Sequence, residues 1–328
     1  MNTPLASTYR HKLVAVTGAT GFIGSHLVEA LVKLGAEVIT IARSGSRLRN
    51  LASVEGRHKF IECDLSERGA MALALSPARP SVLFHLAAEP DLGESFDQIA
   101  TRLKTNTFGA LHTLEGCIQL GCERFVLADS CKVYGNQPIP HTAAQHPMPI
   151  SSYAISKAAA WHLAQVVALQ HRLELVSLRF TFVYGPRQTW NLLRYVERRA
   201  LEGGPVLLQG GTQTRDPVYV SDVVSALLAA GVSLSAPGFA IPIGGGLEMT
   251  VHEMCAKTLA VLGAHLPIVA NAVSMRETEV FHSYSDNRDA LRLLGWKPCC
   301  TFDEGLRLTF PTVVEPSADD SATADGAD

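Results

Sequence analysis

The stretch Thr17-Gly18-Ala19-Thr20-Gly21-Phe22-Ile23-Gly24 decides the fold. It follows directly on Leu13-Val14-Ala15-Val16, a short apolar run read as a buried strand. It opens a segment in which Ile23, Leu27, Leu31 and Leu34 recur at helical spacing until Gly35 stops it. Glycines at 18, 21 and 24 allow a tight turn, close backbone approach to a ligand and close packing of the helix. The helix N-terminus then offers free N–H groups and a partial positive charge to a pyrophosphate. The G-x-x-G-x-x-G spacing is one residue wider than the usual dinucleotide fingerprint. The strand–loop–helix context therefore carries the reading, rather than the glycine count.

Outward from this turn, apolar runs alternate with helical patterns. Val38–Ile41, Phe60-Ile61, Val82–Phe84, Arg124–Leu127 and Leu175–Leu178 read as strands. Leu111–Leu120 and Tyr153–Gln170 read as helices between them. That rhythm predicts an α/β fold, a doubly wound parallel sheet of the Rossmann type. After Arg179 the chain becomes richer in glycine, proline and arginine, although helical patterns persist at 221–230 and 251–262. We expect residues 1–180 to form the dinucleotide-binding domain, with later segments returning to it. Residues 181–312 are expected to form a smaller C-terminal α/β substrate lobe, and 313–328 a disordered acidic tail.

Composition narrows the function classes. The 328 residues are 47% hydrophobic and 18% charged, with 28 Lys and Arg against 31 Asp and Glu. A net charge of −3 is too small and too balanced for a nucleic-acid binder. No apolar run is long enough to cross a bilayer, and the first residues lack the apolar core of a signal peptide. Seven cysteines without a C-x-x-C pair argue against a disulfide framework or a zinc site. His141, His146, His252 and His265 have no metal-ligand spacing, so no metal is expected. The expectation is a cytoplasmic enzyme acting on a small molecule.

The second strand ends Ile41-Ala42-Arg43-Ser44. An acidic residue there would bind the adenosine ribose of NAD. Ala42 cannot, and Arg43 could pair with a 2′-phosphate, so NADP(H) is favoured with NAD(H) as the alternative. Arg47 and Arg49 could assist or could simply be solvated.

Tyr153-Ala154-Ile155-Ser156-Lys157 places a tyrosine and a lysine one helical turn apart on one face. A free tyrosine is a poor base at neutral pH, but a neighbouring ammonium stabilises the phenolate. Tyr153 could then exchange a proton with a sugar hydroxyl or a ketone. Ser130, at the C-terminal end of its strand in Asp129-Ser130-Cys131-Lys132-Val133-Tyr134-Gly135, could hold the reacting oxygen.

Taken together, these motifs resemble the extended short-chain dehydrogenases/reductases, the NAD(P)-dependent epimerase/dehydratase group that acts largely on nucleotide sugars. The resemblance runs from Val14 to about Gly305. It also includes Asp64-Leu65, His85-Leu86-Ala87-Ala88, Thr105-Asn106, Val183-Tyr184-Gly185-Pro186-Arg187, Gln213-Thr214-Arg215-Asp216 and Leu294-Gly295-Trp296. It implies Ser130, Tyr153 and Lys157 as catalytic residues, with Cys131 and Lys132 as accessory candidates. The implied cofactor set is Gly18, Thr20, Gly21, Phe22, Ile23, Gly24, Arg43, Asp64, Leu65, Leu86, Ala87, Ala88, Phe180 and Val183, with Tyr153 and Lys157. Implied on the substrate side are Glu89, Ser130, Phe182, Arg187, Arg215 and His282. A homodimer through helices near 107–121 and 153–170 is implied as well.

Three departures bear on the reaction. The acids that follow the catalytic Ser/Thr in 4,6-dehydratases are here Cys131 and Lys132, which weakens the case for elimination. Phe182 stands where the family motif has Asn. The family's later G-D-x-R arginine is missing from Thr278–Ser283, where His282 is the candidate substitute and Arg276 lies nearby. The expected activity is NADP(H)-dependent hydride transfer at a sugar carbon of a nucleoside diphosphate sugar, by an epimerase or a ketosugar reductase. A nucleotide-sugar dehydratase, a reductase of non-sugar carbonyls and a silent nucleotide-binding protein are the alternatives.

Overall fold

In the computed structural model, which describes residues 7–46, 48–90 and 93–311, the apolar runs become strands of one parallel sheet. They are β1 (Leu13–Thr17), β2 (Glu37–Ala42), β3 (Lys59–Glu62), β4 (Val82–His85), β5 (Arg124–Ser130) and β6 (Glu174–Phe180). A seventh strand, Ala240–Ile243, returns from the second half of the chain and adds beside β6. Its spatial order is Ala240–Ile243, β6, β5, β4, β1, β2, β3, with every pairing parallel. Chain order reverses between β1 and β4, and ligands of such sheets bind outside the strand ends at that point. The register sets Thr17 beside Ile41 and His85, and Ser130 beside Phe180, so the C-terminal strand ends line one edge.

Helices cover both faces, which is why the central strands are continuously apolar rather than alternating. Helix Phe22–Lys33 packs with Val220–Ala230 on one face, burying Leu27, Leu31, Val223 and Leu227. Helices Gly109–Gln119 and Ser152–His171 bury Leu114, Cys117, Trp161 and Ala164 on the other. Ser151 caps the second of these, accepting from the Ala154 N–H at 3.3 Å. Its buried alanines at 154, 158, 160, 164 and 168 let the backbone lie close to the sheet. This brings the first turn, with Tyr153 and Lys157, to the edge where β5 ends.

The structure departs from the sequence reading in two places. The helix expected at Leu111 starts far earlier, at Phe96, and runs through a π-helical segment, Leu103–Phe108, into Gly109–Gln119. The extra residue per turn swings Asn106 and Thr107 inward, where both are buried against Ser156. In the second half, helix Leu192–Glu202 buries only Leu193 and Val196 among its arginines and glutamates, too thin a stripe to stand out in the sequence. The second half also holds three two-stranded pairings: Phe182–Tyr184 with Pro217–Tyr219, Thr214–Arg215 with Met249–Thr250, and Val206–Gln209 with Ile268–Val273. Arg47 and the 313–328 tail lie outside the described residues. All seven cysteines are free, and no helix among the described residues is long and apolar enough to cross a membrane.

Candidate active site

The glycine turn is built for a close-lying ligand. Gly18 has φ +65°, and a Cβ there would sit 2.7 Å from the Ala87 backbone nitrogen. A Cβ on Gly24 would strike the Gly18 carbonyl. The loop after β4 is drawn onto this turn: Leu86 N–H donates to the Thr17 carbonyl at 3.2 Å, and Ala87 N–H to Thr17 Oγ1 at 3.3 Å. Helix Phe22–Lys33 has no side-chain cap at Gly21 and no acid in its first turn, so its N–H groups face the edge unneutralised. Bare glycine backbone and an uncapped helix start fit a dinucleotide pyrophosphate. The Thr20 carbonyl is held by Asn50 Nδ2 at 2.9 Å. At the far end, Arg43 and Asp64 are exposed while Leu65 is buried. The Asp64 carboxyl is held below its usual range by the Ser66 N–H, with Lys104 and Arg43 adding their charges.

At the end of β5, Ser130 caps the short turn Cys131–Tyr134, its Oγ accepting from the Lys132 N–H at 3.2 Å. The same hydroxyl stands close enough to the Tyr153 phenol to favour its ionised form. Lys157 is buried and donates from Nζ to the Ala128 carbonyl at 2.8 Å. The sequence reading had Lys157 pulling Tyr153 toward phenolate. The structure corrects this: burial, and then the Asp129 charge, push the phenol up, while Ser130 and Arg102 oppose them. Burial lowers Lys157 itself, with Asp129 opposing.

Beneath these residues lies an ion pair that the motifs did not single out. Asp129 and Arg179 face each other across the β5–β6 register and pair at 3.1 Å, both buried. Asp129 also accepts from Ser177 Oγ at 3.2 Å and from the Ser130 N–H at 2.8 Å. Arg179 donates to the Tyr134 hydroxyl at 3.0 Å and lies over its ring. Asn106 is a second residue missed in role. It bridges the Glu89 backbone and Ser156 Oγ, tying the loop after β4 to the Tyr153 helix. Only the π turn reveals this.

Cys131 is removed from the accessory candidates. Its buried thiol donates to the Arg179 carbonyl at 3.0 Å, and burial pushes it up to about 12. Arg187 is not with Arg215: it pairs with Glu29 at 2.5 Å and donates to Ser25 Oγ at 3.1 Å, on the helix behind the glycine turn. Phe182 packs against the apolar cluster that also takes Phe22 and Ile23. Phe180 is buried at the end of β6, and Val183 pairs with Val218. His282 bonds Thr214 Oγ1 at 3.1 Å and lies 3.6 Å from Glu248, so it does not replace the missing arginine beside Arg215.

Known proteins share this architecture. Residues 14–238 match the model of the NAD dependent epimerase/dehydratase family. The chain belongs to that family.

Among individual relatives of this epimerase/dehydratase, UDP-glucose 4-epimerase of Mycolicibacterium smegmatis is 31% identical over 304 residues, covering 90% of this chain and 96% of that one. The crystal structure of UDP-glucose 4-epimerase with UDP-glucose from Thermotoga maritima is 31% identical, with TM-score 0.82, covering 90% and 97% of the two chains. The structure of MoeE5 in complex with UDP-glucuronic acid and NAD is 33% identical, also with TM-score 0.82, covering 90% and 97%. The epimerase/dehydratase described here therefore shares the whole architecture of these enzymes, second lobe included.

Proposed function

We propose that this protein inverts a carbinol carbon of a nucleoside diphosphate sugar, with NADP(H) held on the glycine turn. The observation that carries the reading is that Ser130, Tyr153 and Lys157 meet at the end of β5 beside that turn, without a carboxylate among the residues that directly follow Ser130. Ser130 holds the reacting oxygen. Tyr153 exchanges the proton with it, and Lys157 fixes the nicotinamide ribose and the site's positive charge. When bound, the nicotinamide takes up and returns hydride, and in its oxidised form adds the positive charge that Tyr153 needs to act as a base. The acids that follow the catalytic Ser/Thr in 4,6-dehydratases are replaced here by Cys131, whose buried thiol holds its proton, and by Lys132.

Exposed Arg43, with Ala42 beside it, supports the 2′-phosphate form of the dinucleotide. That same feature favours a second reading, a ketosugar reductase that consumes NADPH. The substrate class rests on the relatives, which bind UDP-glucose and UDP-glucuronic acid. A homodimer is supported by an apolar stripe on helix Ser152–His171, where Ile155 (48%), Val166 (58%) and Leu169 (83%) are exposed, near Phe108 on the neighbouring helix. A cytoplasmic setting suits seven free cysteines.

Incubation with a panel of nucleoside diphosphate hexoses and catalytic dinucleotide, read by NMR, tests the proposal. The expected result is an equilibrium mixture of two epimers without added reductant, with NADP supporting it better than NAD. Conversion only with stoichiometric NADPH would establish the reductase instead, and a 4-keto-6-deoxy product would establish the dehydratase.

A further inference from the structure

Arg102 is fully buried and has no part in the cofactor or substrate sets above. It ends helix Phe96–Arg102, just before the π turn. Its guanidinium crosses to helix Ser152–His171: Nη1 donates to Ser152 Oγ, and Nη2 to the Gly93 carbonyl at 2.5 Å. Asn106, four residues on, donates to Ser156 Oγ at 3.0 Å. These two rungs, 102 to 152 and 106 to 156, hold the two helices in register, and Tyr153 lies between them in the chain. Glu94 completes the first rung, its Oε1 accepting from the Ser152 N–H at 3.2 Å.

The charge sits in a costly place. A buried guanidinium needs a closely paired carboxylate to offset its desolvation. Glu94 is 4.0 Å away and 35% exposed, and Arg102 Nε is buried with no hydrogen-bond partner among the described residues. The first turn of a helix already carries partial positive charge, which favours anions there and opposes cations. Neutral donors would serve Ser152 Oγ and the Gly93 carbonyl equally well. What an arginine adds is a permanent positive charge beside the residue that must exchange a proton.

The charged groups around Tyr153 come from four elements. From β5, Asp129 pushes the phenol up, and the neighbouring Ser130 opposes it. On the phenol's own helix, Lys157 directs Nζ to the Ala128 carbonyl. Glu94, before helix Phe96–Arg102, is engaged by Arg102 and the Ser152 N–H. Arg102 is the cation whose charge favours the ionised phenol.

We propose that Arg102 is a positioning residue for Tyr153, a permanent cation fastened to the preceding residue that stabilises the phenolate and fixes the first turn of its helix against the loop after β4. The inference rests on the reading of Tyr153 as the proton carrier. It gives Arg102 the electrostatic part that helical spacing suggests for Lys157, and it leaves Lys157 to the nicotinamide ribose.

Two variants separate charge from geometry. Arg102→Gln keeps hydrogen-bond donors and loses the charge, whereas Arg102→Lys keeps the charge and loses the fork. Each is read by the pH–rate profile, and by ultraviolet difference titration of the phenol against Tyr153→Phe in the same background, with oxidised dinucleotide bound. Arg102→Gln is expected to move the phenol limb and the titration to higher pH by about one unit. Along the sloping arm of the profile that shift reads as an about tenfold lower rate at each pH. Arg102→Lys should stay within about 0.3 unit and about twofold of the parent. Arg102→Met, which retains much of the stem, replaces the glutamine variant if that one does not fold. A neutral variant whose limb, rate and titration coincide with the parent's overturns the inference. So does equal movement in the neutral and lysine variants, which would mark lost geometry rather than lost charge. Parent-like turnover by Tyr153→Phe would sink the reading of Tyr153 itself. The phenol titration needs no turnover, so it reports on Arg102 separately.

Discussion

Tyr153→Phe is expected to lower turnover by about 10²- to 10⁴-fold while leaving dinucleotide affinity within about twofold. The substitution deletes one hydroxyl and keeps the ring, so helix Ser152–His171 and its alanine packing are untouched. What is lost is the phenol hydroxyl beside Ser130 at the strand edge. Burial and Asp129 push the phenol up, and the positive charge of an oxidised nicotinamide would oppose them when Tyr153 acts as a base. Steady-state kinetics beside a fluorescence titration of NADPH separate the two effects. Turnover within about threefold of the parent would remove Tyr153 from the proton path and direct attention to Lys132.

The largest expected effect on stability comes from Asp129→Ala. Asp129 accepts from Arg179, Ser177 and the Ser130 N–H, all within the β5–β6 pair. Removing it strands a buried guanidinium that only the Tyr134 hydroxyl and ring still face. Breaking a buried pair from one side costs about 3–5 kcal/mol. For a chain of this size that is a fall in Tm on the order of 10 °C. Denaturant and thermal unfolding measure it, and a loss under about 1 kcal/mol would show that Tyr134 alone satisfies Arg179. Asp129→Asn gives a second readout. The aspartate charge pushes the Tyr153 phenol up, so removing that charge lowers it. The limb of the pH–rate profile governed by the phenol should then move to lower pH. A profile that stays in place would confine Asp129 to a structural role.

Much of the fold was legible because its signals are local. Leu13–Val16 and Thr17–Gly24 are neighbours in the chain and in space, and backbone sterics alone decide what the glycines permit. Tyr153 and Lys157 were legible for the same reason, since helical spacing puts them together. The rest depends on pairings distant in sequence. Asp129 meets Arg179 only because β6 lies beside β5 in one register. Arg215 meets Glu279 only because Asn136 ties a remote strap, residues 279–281, to the Ser130 turn. Asn106 turns inward only through a π segment that no periodicity announces. The expectation for Tyr153 failed on environment rather than position. Spacing brought the lysine near, but burial and a hidden aspartate decide the direction of the phenol's shift.

The most direct test of the central claim uses a nucleoside diphosphate hexose carrying deuterium on the inverted carbon, the substrate being the one that the NMR panel identifies. Inversion by reversible hydride transfer predicts that the product epimer keeps the label at that carbon and takes no hydrogen from water. Loss of deuterium to solvent during epimerisation would show deprotonation at carbon instead, and would contradict the account.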